Sequence, residues 1–323
     1  MLAQGSFNMI DDSKINPNIG QLHEHFRSVL DKYFDGDERI AEYFEEVRCY
    51  NCGSEEINHS FVVDRFRHVR CRECGMVYTS PRLREEITHD LYNDRAYDES
   101  YKIKLIPSVD HRRNVLGVNK YKQILEYFGK PGTVLDIGCG LGELLSVFQE
   151  QKWKCTGIEF NAFAANYARA SFNLNIVSKS IYEFDGTDKY DLIMLWGVLE
   201  HFYDPAKILK KANELLEDDG LLVLEVPSSD SALVRYFEQN PQSVDRIIEG
   251  DRHIMLFSVR GFIEMAGKAG FSPVSIKSNG LDIATLNRVI LHDALDLPRV
   301  NEVQGLLDSS LQGDLLRGFF KRR

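Results

Sequence analysis

The sequence predicts an α/β fold. An open, doubly wound, mostly parallel sheet is expected, with a small metal-bound β-ribbon ahead of it and helical additions. Three observations carry this. Thr133–Glu143 (TVLDIGCGLGE) runs from an apolar strand through a glycine turn into an amphipathic helix start. Further strands are read at Lys154–Ile158, Tyr190–Leu195 and Leu221–Val226, the last two as buried apolar runs, with helical stretches between them. Upstream stand two C-x-x-C pairs, Cys49/Cys52 and Cys71/Cys74, separated by 18 residues.

Length and composition set limits. The chain has 323 residues, is 43% hydrophobic and 27% charged, and carries a formal net charge of −10. That balance argues against a large phosphate-backbone surface and so against a nucleic-acid partner. No apolar run approaches the roughly 20 residues a membrane span needs. The first residues, MLAQGSFNMIDD, lack a basic stretch followed by an apolar one, so no signal peptide is read and a cytoplasmic location is expected.

Taken in order, residues 1–44 read as a helical arm. Its apolar spacing over 21–46 predicts two short helices broken at Gly36. Residues 45–80 hold the cysteine pairs. Four thiolates at this spacing suit tetrahedral zinc, and Gly53 and Gly75 follow each pair where a tight knuckle needs them. Phe61–Phe66 and Val69 supply strands for the ribbon, whose core is too small to fold without metal. Disulfides are the alternative, against the absence of a secretion signal. His59 and His68 read as surface histidines. Arg65, Arg67, Arg70 and Arg72 are balanced by Glu55, Glu56, Asp64 and Glu73, so a packing or lid role fits the ribbon better than nucleic-acid binding.

Residues 81–130 read as connecting helices, including an amphipathic one over 111–129. Residues 131–280 hold the sheet. Residues 231–250 read as a helical insertion, Ser258 as an N-cap for Val259–Ala269, and Pro273–Ser278 as an edge strand. Residues 281–323 read as a helical extension, with Lys321-Arg322-Arg323 solvated.

The glycine turn selects its ligand. A dinucleotide fingerprint is G-x-G-x-x-G, but here Glu143 stands at the last glycine's place, where it would repel a pyrophosphate. An acidic residue before the turn suits a cationic ligand. Asp136 followed by Gly138, Cys139, Gly140 and Gly142 resembles the first motif of the class I S-adenosylmethionine (SAM)-dependent methyltransferases, whose sheet is Rossmann-like. Cys71-x-x-Cys74-Gly75-Met76-Val77-Tyr78, then Pro81-Arg82 and Leu91-Tyr92, looks like those members that carry an N-terminal zinc ribbon. Their relatives act on sugars, glycans and natural products.

The resemblance implies a site. Glu159, at the end of the second strand, would accept hydrogen bonds from ribose hydroxyls. Phe160 would flank the adenine, and Ile181 and Tyr182 would wall it. Arg112 or Arg113 would reach the SAM carboxylate. Trp196 and His201 would lie at the carboxyl edge of the sheet, with His253 on a later loop. His201 is a candidate general base, and Glu200–His201 as buried shaping residues is the competing reading. No Asn/Asp-Pro-Pro-Tyr segment follows the fourth strand, which tilts the acceptor towards oxygen or carbon. The expected function is methyl transfer to a small molecule or saccharide. The alternatives are an RNA methyltransferase and a non-catalytic SAM-binding regulator.

Overall fold

The computed structural model describes residues 18–93, 95–242 and 246–323, without the side chains of residues 19, 93 and 95–97. Seven strands form the central sheet: β1 Thr133–Ile137, β2 Lys154–Ile158, β3 Ile176–Val177, β4 Tyr190–Trp196, β5 Leu216–Pro227, β6 Phe271–Asn279 and β7 Leu315–Arg322. Their order is β3-β2-β1-β4-β5-β7-β6. Strands β3 to β5 pair in parallel around β1, and β7 runs antiparallel to both neighbours.

The apolar runs explain the centre. Val134, Leu135, Leu192, Ile193, Met194 and Leu195 are wholly buried, because strands covered by helices on both faces need no polar alternation. Helices Glu143–Glu150, Ala162–Phe172, Pro205–Leu215 and Val259–Lys268 cover them. The expected cap forms, Ser258 accepting from Gly261 N, and the Asn161 side chain caps Ala162–Phe172 by accepting from Ala164 N.

The C-terminal expectation is corrected. Residues 281–318 do contain helices, Asp282–Val289 and Leu297–Ser309, but Leu315–Arg322 is an interior strand. Phe319 and Phe320 project to opposite faces and both are fully buried. The charged Lys321-Arg322-Arg323 end masks the pattern. The buried Arg317 of β7 is charged too, and it pairs with Glu225 directly across on β5. Burial pushes the Glu225 carboxyl up, but Arg317 and Lys120 overcome this and hold it at about 2.

The N-terminal half is also corrected. Ile19–Leu30 is helical, but the second short helix shrinks to one 3-10 turn, Ala41–Tyr43, and Gly36 sits at φ 64 in the turn of a small hairpin, Phe34–Asp35 with Glu38–Arg39. Instead of one helix over 111–129, a longer one runs from Arg95 to Leu125. Two π-helical stretches interrupt it, Tyr101–Leu105 and Arg112–Gly117.

The ribbon has strands Ile57–Val63, Phe66–Cys71 and Val77–Thr79, so the expected Phe61–Phe66 strand is instead split by a hairpin turn at Asp64-Arg65, and a fourth strand, Met255–Leu256, joins them from between β5 and β6. The ribbon is therefore stitched to the main domain. Arg70, buried, donates to Glu238 Oε1 at 2.5 Å, Ser229 O at 2.7 Å and Gly75 O at 2.7 Å. His68 is not a surface residue. It is buried, stacked on Phe61 at 5.3 Å between centroids, and burial lowers its pKa to about 4. Among the described residues no helix is long and apolar enough to cross a membrane.

The β7 assignment has a direct test. Phe320→Ala removes a ring packed edge-on against Phe262 at 5.4 Å. The expected loss is about 3–5 kcal/mol in urea unfolding. An unchanged midpoint would place Phe320 outside the core.

Candidate active site

A cavity of about 510 Å³ opens at the carboxyl ends of β1, β2 and β4. That is where an open α/β sheet holds its ligands. The glycine turn forms its floor. Gly138 at φ 73 packs so closely that a Cβ there would lie 2.7 Å from Val198. Gly140 at φ 55 differs, since a Cβ there would meet no protein atom within 4 Å. Its positive φ and open face leave backbone free for close approach by a ligand.

Glu159 locks this turn to β2. Its Oε2 accepts from Gly140 N at 2.8 Å and its Oε1 from Asn161 N at 2.8 Å. A carboxylate offers about four lone-pair sites, so two remain for ligand hydroxyls. Burial raises the Glu159 pKa, and the amides of Asn161 and Gly140 oppose this. Asn161 further ties β2 to the covering helices, donating to Tyr92 O at 3.3 Å and Asp98 Oδ1 at 3.1 Å.

The expected cofactor residues divide. Gly138, Gly140, Glu159, Phe160, Ile181 and Tyr182 line the cavity together. Phe160 stands 4.9 Å from the His89 ring, and Tyr182 meets Phe202 edge-on at 5.9 Å. Asp136, Cys139, Gly142 and Trp196 do not line it. Asp136 is buried beneath the turn, and burial pushes its carboxyl up to about 8. Cys139 is buried, and a Cβ at Gly157 would lie 2.7 Å from its sulfur. Gly142 serves packing: at φ 79 it starts the next helix, and a Cβ would meet Leu174 at 2.6 Å. Trp196 follows Leu192 and Met194 onto one face of β4 by strand periodicity. There its ring lies between Lys120 at 4.3 Å and Arg317 at 4.8 Å.

The two arginine candidates also separate. Arg113 is engaged by Ser146 Oγ at 3.0 Å and by Glu150. Arg112 lines the cavity, with its buried Nε lacking a hydrogen-bond partner and Glu143 Oε1 at 3.8 Å. Sequence reasoning missed Lys104. It lies two helical turns before Arg112 on the covering helix and lines the same cavity. Burial lowers its pKa to about 8. Apolar spacing over 111–129 gave no sign that the helix extends back over the site.

His201 and His253 stand together in the cavity wall, ring centroids 5.0 Å apart. His201 Nδ1 lies 2.9 Å from Arg252 O, and His253 Nδ1 lies 2.8 Å from Ile247 O. Burial pushes His201 down to about 3 and also lowers His253, so both rings are neutral near pH 7. A base that weak is poorly matched to an alcohol proton. Glu200 is 2% exposed behind them, with Oε2 buried and unpartnered.

Away from this cavity, the four ribbon sulfurs lie within 4.8 Å of one another. Cys49 and Cys74 approach to 3.4 Å, and Cys52 and Cys71 to 3.5 Å, without disulfide bonds. The two knuckles repeat one geometry: Gly53 N donates to Cys49 O at 2.8 Å and Gly75 N to Cys71 O at 3.1 Å, at φ 71 and φ 76.

Comparison with known proteins gives the chain's family. The "Methyltransferase domain" family model matches residues 109–276. A ubiquinone biosynthesis O-methyltransferase from Glaesserella parasuis is 38% identical over 108 residues, 30% of this chain and 45% of that protein. The (S)-tetrahydroprotoberberine N-methyltransferase of Eschscholzia californica is 30% identical over 101 residues, 29% of each chain. The chain thus spans less than half the length of these two curated relatives. Among solved structures, a Thermotoga maritima SAM-dependent methyltransferase, described as a possible histamine N-methyltransferase, is 18% identical. The match covers 73% of this chain and 99% of that one, with a TM-score of 0.49. With over half of its residues matched by the family model, from the middle of the covering helix into β6, this chain belongs to the methyltransferase-domain family.

Proposed function

We propose that the protein transfers a methyl group from SAM to an oxygen or carbon of a small molecule or saccharide. The observation that carries this reading is the Glu159 carboxylate, fixed by two backbone amides beside the open face of Gly140. The ribose hydroxyls donate to its remaining lone pairs, with Phe160, Ile181 and Tyr182 around the adenine. Arg112 meets the carboxylate of the methionine part. Transfer is an in-line displacement: an acceptor atom about 3 Å from the methyl carbon bonds to it while the carbon–sulfur pair departs onto sulfur. The covering helix keeps water from this step and presents Lys104 to the acceptor. Among the described residues, Lys104 has no carboxylate within ion-pair distance, so an acceptor with an anionic group suits the cavity.

An RNA acceptor is disfavoured by the ribbon's arginines. Arg70 is buried, Arg65 binds Asp31 at 3.0 Å, and Arg67 turns to Ser80 O at 3.4 Å. Of the four ribbon arginines that leaves the exposed Arg72 to meet a phosphate backbone.

Zinc is proposed for the four ribbon cysteines. Tetrahedral Zn–S bonds of about 2.3 Å set sulfurs roughly 3.8 Å apart, close to the spacing found. The ion would hold the knuckles together, and Ser258, donating to Cys74 O, ties them to helix Val259–Lys268.

Two outcomes check these assignments. Calorimetric titration with S-adenosylhomocysteine is expected to give micromolar binding, at least tenfold weaker in Arg112→Met and abolished in Glu159→Ala. Undiminished affinity in a folded Glu159→Ala protein would contradict the ribose assignment. One zinc per chain is expected by elemental analysis, and its removal by chelator should lower the melting temperature. A metal-free protein of equal stability would contradict the structural zinc.

A further inference from the structure

We infer that Glu200, His201 and His253 form a second metal site, distinct from the ribbon, which binds a divalent transition-metal ion in the acceptor cavity. The donor atoms of the three residues lie within 4.8 Å of one another, and His253 Nε2 is 3.9 Å from Glu200 Oε1.

The hydrogen bonds prepare both rings as ligands. A carbonyl oxygen only accepts, so the bonds to Arg252 O and Ile247 O put the proton of each neutral ring on Nδ1. Both Nε2 lone pairs are thereby left free. Metal-bound histidines are held in the same way, their second nitrogen donating to a carbonyl or carboxylate. Glu200 supplies the independent sign. Its Oε2 is buried without a hydrogen-bond partner, and burial pushes the carboxyl up to about 8, so the group holds either a proton or a cation that displaces it. Metal bonds of about 2.0–2.2 Å would draw the ligand atoms to roughly 3 Å, a contraction of about 1 Å for the 3.9 Å pair and of at most about 2 Å within the 4.8 Å limit.

Charge permits a cation here. Arg252 is the nearest positive group on this loop, but Glu249 at 3.1 Å and Asp251 at 3.6 Å engage it. Glu249 Oε2 also stands 3.9 Å from His253 Nε2. Two imidazoles and one carboxylate suit a first-row transition ion such as zinc, cobalt, iron or manganese better than magnesium. The two histidines line the cavity, so the ion's open positions face the acceptor.

The ion's role rests on the methyl-transfer reading, whereas its binding does not. An acceptor hydroxyl that coordinates the ion loses its proton to solvent water more readily. The oxygen lone pair then forms the bond to the methyl carbon, and the carbon–sulfur bond breaks with its pair kept by sulfur.

The test uses the full chain with its ribbon cysteines loaded with zinc, titrated with Co2+ alone and followed by visible absorption. The expected result is one Co2+ per chain, bound at micromolar concentration, with d–d bands and no added thiolate charge-transfer absorption. His253→Ala and Glu200→Gln, each verified as folded by thermal melting, should bind at least tenfold more weakly. Three outcomes would overturn the site: no saturable binding, cobalt appearing only with thiolate bands, or equal affinity in both variants, which marks an adventitious ion only. S-adenosylhomocysteine binding on the same samples reports separately. Its loss counts against the methyl-transfer reading and not against the metal.

Discussion

The site depends on one buried carboxylate. Glu159 ends β2, yet its two oxygens accept from the amides of Gly140 and Asn161. The first bond holds the glycine turn after β1, and the second starts the helix after β2. Each is a charge-assisted hydrogen bond in a buried setting, stronger than a neutral one. Burial favours the protonated acid and raises its pKa, and the amides oppose that shift by favouring the charged form. The same contacts that shape the turn therefore leave a carboxylate aimed into the cavity.

Two further layers build outward from this point. The long helix from Arg95 to Leu125 closes over the cavity and carries Lys104 and Arg112. The ribbon braces the opposite end of the chain. Its strand Val77–Thr79 pairs with Met255–Leu256, two residues after His253, so the ribbon's fold fixes the loop on which that histidine sits. Arg70 adds a buried clamp from the ribbon to Ser229 and Glu238. The ribbon thus acts on the site through the backbone without lining the cavity.

Much of this was legible in the sequence, for physical reasons that can be named. The strand–turn–helix at Thr133–Glu143 and the acid at Glu159 mark a ligand cradle because glycine and carboxylate placement there is sterically and electrostatically demanding. The C-x-x-C-G repeats mark the cysteine cluster for the same kind of reason. Trp196 misled because its position at a strand end is readable while its face is not; only pairing with Glu225 and the parity of β4 set it beside Lys120 and Arg317. Strand β7 was hidden because its apolar pair Phe319-Phe320 lies between charged residues whose partners are distant in sequence. His68 looked polar and exposed, but tertiary packing buries it against Phe61.

The central claim is that the turn and Glu159 hold the adenosine of SAM, with Arg112 at its other end. A crystal structure of the complex with S-adenosylhomocysteine tests it most directly. The account predicts ribose hydroxyls within hydrogen-bond distance of Glu159, the ligand backbone against Gly140, and the carboxylate on Arg112. A nucleoside bound elsewhere, with Glu159 still contacting only Gly140 and Asn161, would contradict it.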